Sequence, residues 1–176
     1  MLASAQKKKT HVVVAEIKES VIFMIDKFEG KYAFLSNFYP SPIRPWEDDI
    51  IYPTVEHAFQ AMKTFDIEKR RQIASQPTPG KAKFYGRSVE LRLDWREIRD
   101  KVMYFCLKDK FEDSILKDKL LATGNEFLVE GNSWHDNYWG DCRCPKCKNI
   151  QGENHLGYLL MEIRDEKSKK NIKVLR

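Results

Sequence analysis

The sequence predicts a single α+β domain, predominantly helical with a few short strands, and three observations carry that prediction. The 176 residues, 42% hydrophobic and 12% aromatic, suit one globular unit able to bury most of its apolar surface. Between residues 52 and 124 apolar side chains recur mainly at the helical period, whereas β-branched and aromatic runs are brief. The elements come as strand and loop, then a block of helices, then a strand and a last helix. That order fits an α+β domain better than an alternating parallel series.

The first element, "VIFMIDKF" at residues 21–28, reads as a strand ending at Gly30. "YAFLSNFYPSPIRPW" follows, rich in Pro, Ser and Asn with interleaved aromatics: an irregular segment that must bury large rings, as pocket-lining loops do. A second short strand is expected before Pro53. Thr54 then reads as the N-cap of a helix whose apolar arc is Val55, Ala58, Phe59, Met62 and Phe65. On that wheel Glu56, Gln60 and Lys63 share one flank within about 60°, and His57 points away. A carboxylate and an ammonium half desolvated on such a flank have shifted proton affinities. Solvated residues on an amphipathic helix are the plain alternative.

Asp66 caps a second helix through about Ser75, and Thr78 with Pro79 opens a third that stops near Gly86. "DWREIRDKVMYFCLKDKF" starts with a capping box from Asp94 to Glu97 and buries Trp95, Ile98, Val102 and Phe105, with Cys106 as a small core residue. "SILKDKLLATG" gives a helix closed by Gly124, "EFLVEG" a strand, and the final helix begins after Asn154.

The net charge of +5 suggests nucleic acid until it is located along the chain. Residues 1–20 carry four Lys against two Glu, and residues 165–176 five basic against two acidic residues, so residues 21–164 balance at 22 of each. The expected organisation is a basic tail at 1–20, one domain at 21–166 and a basic tail at 167–176. A neutral body lacks the footprint of a duplex binder. No apolar run approaches the ~20 residues of a membrane span, and "HVVVAEI" is too short and charged for a signal peptide, so a soluble cytoplasmic protein with no membrane partner is expected.

Cys142, Cys144 and Cys147 crowd into "DCRCPKCKN". In a reducing compartment such a turn presents thiolates to one structural zinc ion rather than forming disulfides. His135 and His155 are the candidates for the fourth ligand; a loop of free thiols is the alternative. Arg143, Lys146 and Lys148 add modest basic character nearby.

"GNSWHDNYWGDC" sets Asp136 among Trp134, Tyr138 and Trp139. Rings to stack on and an acid to hydrogen-bond suit a site for a planar heterocycle. A buried aromatic corner, with Asp136 capping a turn, fits equally well.

The ordered set "FLSNFY", "YPTVEHAFQAMK", "KFYGR", "DWREIR", "LLATG", "LVE", "DNYWG" and "ENHLGYLLMEIR" resembles the YbiA-like, or NADAR, family of N-glycosidases over about residues 26–165. Several motifs in the right order are far more specific than one signature. The resemblance implies a largely helical α+β fold and cleavage of N-glycosidic bonds to ribose. The substrates it implies are riboflavin-pathway ribosylamino-pyrimidine phosphates or ADP-ribosylated guanine, with nucleic acid as a carrier of the modified base. It places Glu56, Lys63, Asp136 and Trp139 in the site, and Asn37, Arg87 and Asn154 in substrate binding or support of the pocket. Gln60 and Trp134 join the substrate-binding set from the wheel and the aromatic run. The cysteine insertion departs from the common family pattern, which affects the pocket rim.

Such a reaction needs an acid for the departing base and a carboxylate for the oxocarbenium-like sugar, roles that Glu56 and Asp136 can divide. Lys63 is either a nucleophile that forms an imine or a cation that holds Glu56 or a phosphate. No cofactor is needed for the chemistry. A module that binds ADP-ribose or a modified nucleotide without cleaving it is the reading of a different class, and the acid set, which exceeds what recognition needs, discriminates against it.

Overall fold

The computed structural model describes residues 23–174, with side chains through Lys169. The expected tail at 1–20 and the start of the first predicted strand lie outside the described residues. Elements are, in order, β1 (Met24–Ile25), a 3-10 helix (Gly30–Leu35), α1 (Val55–Ala61), α2 (Ile67–Ala74), α3 (Pro79–Tyr85), α4 (Trp95–Lys110), α5 (Ser114–Leu121), β2 (Phe127–Leu128), β3 (Gly131–Asn132), β4 (Asp141–Cys142) and α6 (His155–Val174). This is the helical α+β domain that the periodicity predicts. Its strands are two-residue pairs, β1 parallel to β2 and β3 parallel to β4. The strand expected before Pro53 is a single antiparallel bridge between Ile43 and Tyr52.

Helix α1 is the centre of the fold. It packs on α2, α3 and α4, while α6 closes the other side against α4, α5 and β2. Thr54 caps it as expected, its hydroxyl accepting from the His57 N–H. Burial on several sides removes the amphipathic face that a wheel assumes: every residue of Val55–Ala61 is buried, including Glu56, His57 and Gln60. His57 satisfies its ring through Thr54 and the Gln76 carbonyl. The helix also ends earlier than the apolar arc implies. Met62 is its C-cap, and Phe65, expected in the core, is 68% exposed.

Asp66 caps α2 and Thr78 caps α3, with Pro79 opening the latter. The capping box at α4 does not form. Asp94 caps nothing with its side chain, because Arg92 holds both carboxylate oxygens at 2.6 and 2.8 Å. Phe105, expected inside, is 49% exposed, whereas Cys106 beside it is fully buried. Helix α6 runs on to Val174, through the segment expected as a tail from residue 167. Lys167 is buried there, its ammonium on Glu112. Among the described residues no helix is long and apolar enough to cross a membrane.

Candidate functional site

A cavity of about 660 Å³ opens between α1, α3 and the segment that joins β2 to β4. Its helical wall carries Glu56, Phe59, Gln60, Lys63, Lys83 and Arg87, and its loop wall Glu130, Gly131, Trp134, Asp136 and Trp139. Asn37, Phe38 and Met103 complete the floor.

On the helical wall, Gln60 lies one turn after Glu56 and donates its amide N–H to Glu56 Oε1 at 2.8 Å. This leaves Gln60 Oε1 buried without a partner. Gly86, the C-cap of α3, is where it is because a Cβ would collide with the Gln60 side chain. Glu56 is only 5% exposed, and burial pushes its carboxyl up, opposed by Lys83, Gln60 and Lys63. Lys63 sits just past the end of α1 rather than on its face. Its N–H meets the Gln60 carbonyl at 3.3 Å and its carbonyl accepts from Arg92 N–H at 2.8 Å. Burial lowers its ammonium pKa while Glu56 raises it. Its amine also lies 6.0 Å from the Trp95 ring centroid.

The loop wall is built from side chain to backbone hydrogen bonds. Asn132 Oδ1 accepts from the N–H groups of Trp134 and Asp136, and its amide donates to the Asp136 carbonyl at 2.7 Å. Asp136 both lines the cavity and caps a turn, accepting from Trp139 N–H at 2.9 Å. The two readings of that residue therefore coexist. Trp139 packs edge-on against Phe59, which ties the loop wall to α1. Trp134 projects at the rim, 58% exposed.

Of the residues expected at the site, Asn37, Glu56, Gln60, Lys63, Arg87, Trp134, Asp136 and Trp139 line this cavity. Asn154 does not. It stands behind the wall with φ +53, its amide donating to the Leu128 carbonyl at 2.8 Å and its Oδ1 accepting from Glu130 N–H at 3.0 Å. Its place is support.

Glu130 and Lys83 line the cavity without having been singled out. Lys83 is one helical turn before Arg87, a spacing that could have found it. Glu130 ends the "LVE" run, where no periodicity marks a function. Burial, then Asp136, pushes its carboxyl up to about 7. Its Oε2 is buried and unpartnered, as are Gln60 Oε1 and Asn37 Oδ1. Three such atoms on one cavity are what the hydroxyls and amino groups of a ligand would satisfy.

Behind the loop wall, His135, Cys142, Cys144 and Cys147 bring their ligand atoms within 4.8 Å of one another, a group able to hold a metal ion. His155, the other candidate for that group, is elsewhere: it stacks on Tyr138 and pairs with Glu153 and Asp100. Arg143 reaches Asp26 at 2.7 Å, so part of the basic character near the cysteines is neutralised.

Residues 23–167 match the NADAR domain. The N-glycosidase YbiA of Escherichia coli K12 is 36% identical over 156 residues, 87% of this chain and 92% of that one. An N-glycosidase of Nostoc punctiforme is 37% identical over 77% of this chain and 85% of its own. A riboflavin biosynthesis protein of Vibrio vulnificus is 33% identical over 88% of this chain, which corresponds to 40% of that longer protein. The NMR structure of E. coli YbiA superposes with a TM-score of 0.72, covering 89% of this chain and 92% of that one. The chain belongs to the NADAR family and is, with its N-glycosidase relatives, an enzyme of the N-glycosyl hydrolase class.

Proposed function

We propose that the protein hydrolyses the bond between a base nitrogen and the anomeric carbon of a phosphorylated or ADP-linked ribose, with Glu56, Lys63 and Asp136 as its catalytic groups. The observation that carries this reading is the placement of buried Glu56 and half-buried Lys63 together on one cavity, opposite Asp136 and Glu130. Burial holds a fraction of the Lys63 amine neutral, the form that attacks carbon. The amine attacks the anomeric carbon, the C–N bond breaks, and the base leaves as it takes a proton from a buried carboxyl. The ribose ring opens, its ring oxygen taking up a proton, and the sugar remains as an imine on Lys63. Water then adds, and the amine and the free sugar separate. The alternative is direct attack of water on the sugar, with Lys63 serving as a clamp on Glu56 or a phosphate.

Glu56 and Asp136 divide the acid role and the stabilisation of positive charge on the sugar. Glu130, with a pKa near 7, is a further proton donor. Trp139 and Trp134 offer faces to the base, and Lys83 and Arg87 offer cations to the phosphate. The chemistry uses no cofactor. A cytoplasmic setting fits the four unpaired thiols.

The test is to incubate the pure protein with a ribosylamino-pyrimidine phosphate, ADP-ribosylated guanine in DNA or RNA, and ADP-ribose on another acceptor. Release of free base from the first two is expected. Binding without release in every case would return the protein to the class of recognition modules.

A further inference from the structure

We propose that His135, Cys142, Cys144 and Cys147 form a closed zinc site that works as a clasp, holding Trp134 and Asp136 in position on the cavity. The donor chemistry fits zinc: three thiols and one imidazole make a four-coordinate structural set with no position left for substrate or water. The geometry fits as well. His135 Nδ1 lies 3.2 Å from Cys144 Sγ and 3.3 Å from Cys147 Sγ. A tetrahedral ion with bonds of ~2.3 Å to sulfur and ~2.0 Å to nitrogen would separate N from S by about 3.5 Å. These two distances therefore lengthen by a few tenths of an ångström on binding, within a set whose ligand atoms already lie within 4.8 Å of one another, and the thiol protons are displaced to solvent.

The backbone is also disposed for it. Cys147 N–H closes the Cys-Pro-Lys-Cys turn on the Cys144 carbonyl at 3.0 Å, and His135 N–H donates to Cys142 Sγ at 3.3 Å, which fixes that sulfur's position. His135 has φ +66, in the left-handed region that a residue with a Cβ seldom adopts, and this backbone turns its ring toward the thiols.

The consequence for the cavity follows from chain order. His135 stands between Trp134 and Asp136, both of which line the cavity, while the thiols come from the far end of the same loop. Cys142 lies opposite Asn132 in the β3–β4 register, and Asn132 is the residue that binds the backbone of Trp134 and Asp136. One ion thus ties the middle of the segment that makes the loop wall to its β4 end and to the cysteine turn beyond it. Residues 137–140 of that segment are anchored independently, by backbone bonds to residues 153–156 and by Trp139 on Phe59, whereas around Trp134 and Asp136 the two-residue β3–β4 pair and the Asn132 bonds are what the ion reinforces. The clasp's effect on substrate rests on the reading of the cavity as the glycosidase site; the zinc itself does not.

The experiment uses the full chain, purified under reducing conditions without added metal. Elemental analysis should find about one zinc per chain. Exchange with cobalt should give the intense visible absorption of tetrahedral thiolate-bound Co(II). Cys144→Ser should weaken both signals, and Cys106→Ser, at a buried thiol remote from the cluster, should leave both unchanged. Substoichiometric zinc together with no cobalt spectrum overturns the site.

The clasp is tested on the wild-type chain, so that a variant's misfolding does not enter. Chelation in the presence of reductant should expose the Trp134–Trp139 segment to chymotrypsin, and zinc should restore protection. KM should rise on chelation and fall again on zinc addition. Equal cleavage with and without zinc overturns the clasp even where the ion binds. Should the protein turn over none of the tested substrates, the metal and proteolysis readouts still decide the proposal.

Discussion

The two walls of the cavity are built by different physics. The helical wall is a buried helix whose first turn is closed by the Asn37 carbonyl and the Thr54 hydroxyl, so Glu56 and Gln60 are positioned by the helical repeat and by Gly86 behind them. The loop wall has almost no regular structure. Asn132, Asn137 and Asn154 supplement an irregular set of backbone bonds, with Asn137 Oδ1 accepting from Cys142 N–H at 2.9 Å. A helical wall suits groups whose geometry must not vary. A wall of asparagine bonds and cysteines tolerates insertion and change more readily than a buried helix. On the proposed reading the nucleophile and Glu56 reside on α1 and its exit, Asp136 and Glu130 assist from the loop wall, and the choice of substrate falls to the exposed rim of that wall.

The comparison breaks first if chemistry does not reside on the helical wall. Glu56→Gln keeps the shape and the bond to Gln60 while removing the charge, and should lower kcat by at least about 10²-fold with the melting temperature kept or raised. Lys63→Arg keeps the charge and cannot form an imine. Borohydride added during turnover should trap a ribose-containing adduct on Lys63 in the wild type and none in Lys63→Arg, which should be inactive. An active Lys63→Arg protein would leave Lys63 a clamp.

The next largest effect tests what holds the loop wall. Asn154→Ala removes the acceptor for Glu130 N–H and the donor to the Leu128 carbonyl, and it places alanine at φ +53. A loss of about 2–4 kcal/mol in denaturant unfolding is expected. A loss below about 0.5 kcal/mol, the range of an ordinary surface change, would show that the loop stands without this brace.

The same difference between walls explains what was legible in the sequence. Thr54, Asp66 and Thr78 announce their helices because capping is local chemistry, and so three helix starts could be read directly. Asp94 misled because Arg92, two residues away, competes for its carboxylate. Phe65 misled because a helix buried all round has no single apolar arc, and α1 stops before reaching it. The irregular wall has no period to read. Trp134, Asp136 and Trp139 stood out as an unusual cluster, Asp136 and Trp139 also through the family resemblance, whereas Glu130, whose shift depends on residues remote in sequence, was only the end of the "LVE" run. The cysteine turn was visible, and of the two candidate histidines the structure puts His135, not His155, beside it.

Glu130 sharpens the comparison, because a buried acid on the loop wall should make stability depend on pH. Its folded pKa of about 7 lies above the ordinary value of 4.5, so the native state binds the proton more tightly than the unfolded chain. The contribution is therefore present in full below pH 4.5 and is lost as pH rises toward 7, by on the order of 3 kcal/mol. Glu56, also raised by burial, acts in the same direction. The measurement is the stability of the wild type minus that of Glu130→Gln at several pH values. The difference should fall across pH 4.5–7; a flat difference would mean that Glu130 ionises as it does in the unfolded chain.

The smallest expected effect is at Trp134, and it separates recognition from chemistry. The side chain is 58% exposed at the rim, so its removal costs little core packing, and unfolding should shift by less than about 0.5 kcal/mol. If its ring stacks on the base, Trp134→Ala gives up a contact worth about 1–3 kcal/mol, and KM should rise roughly 5- to 100-fold. Because the ring meets the base equally well before and during bond breaking, kcat should stay within about threefold. Trp134→Phe retains a stacking face and should recover most of the lost affinity. A fall in kcat with KM unchanged would place Trp134 among the groups that act on the transition state, and the division between reacting groups inside the cavity and a selecting rim would no longer hold.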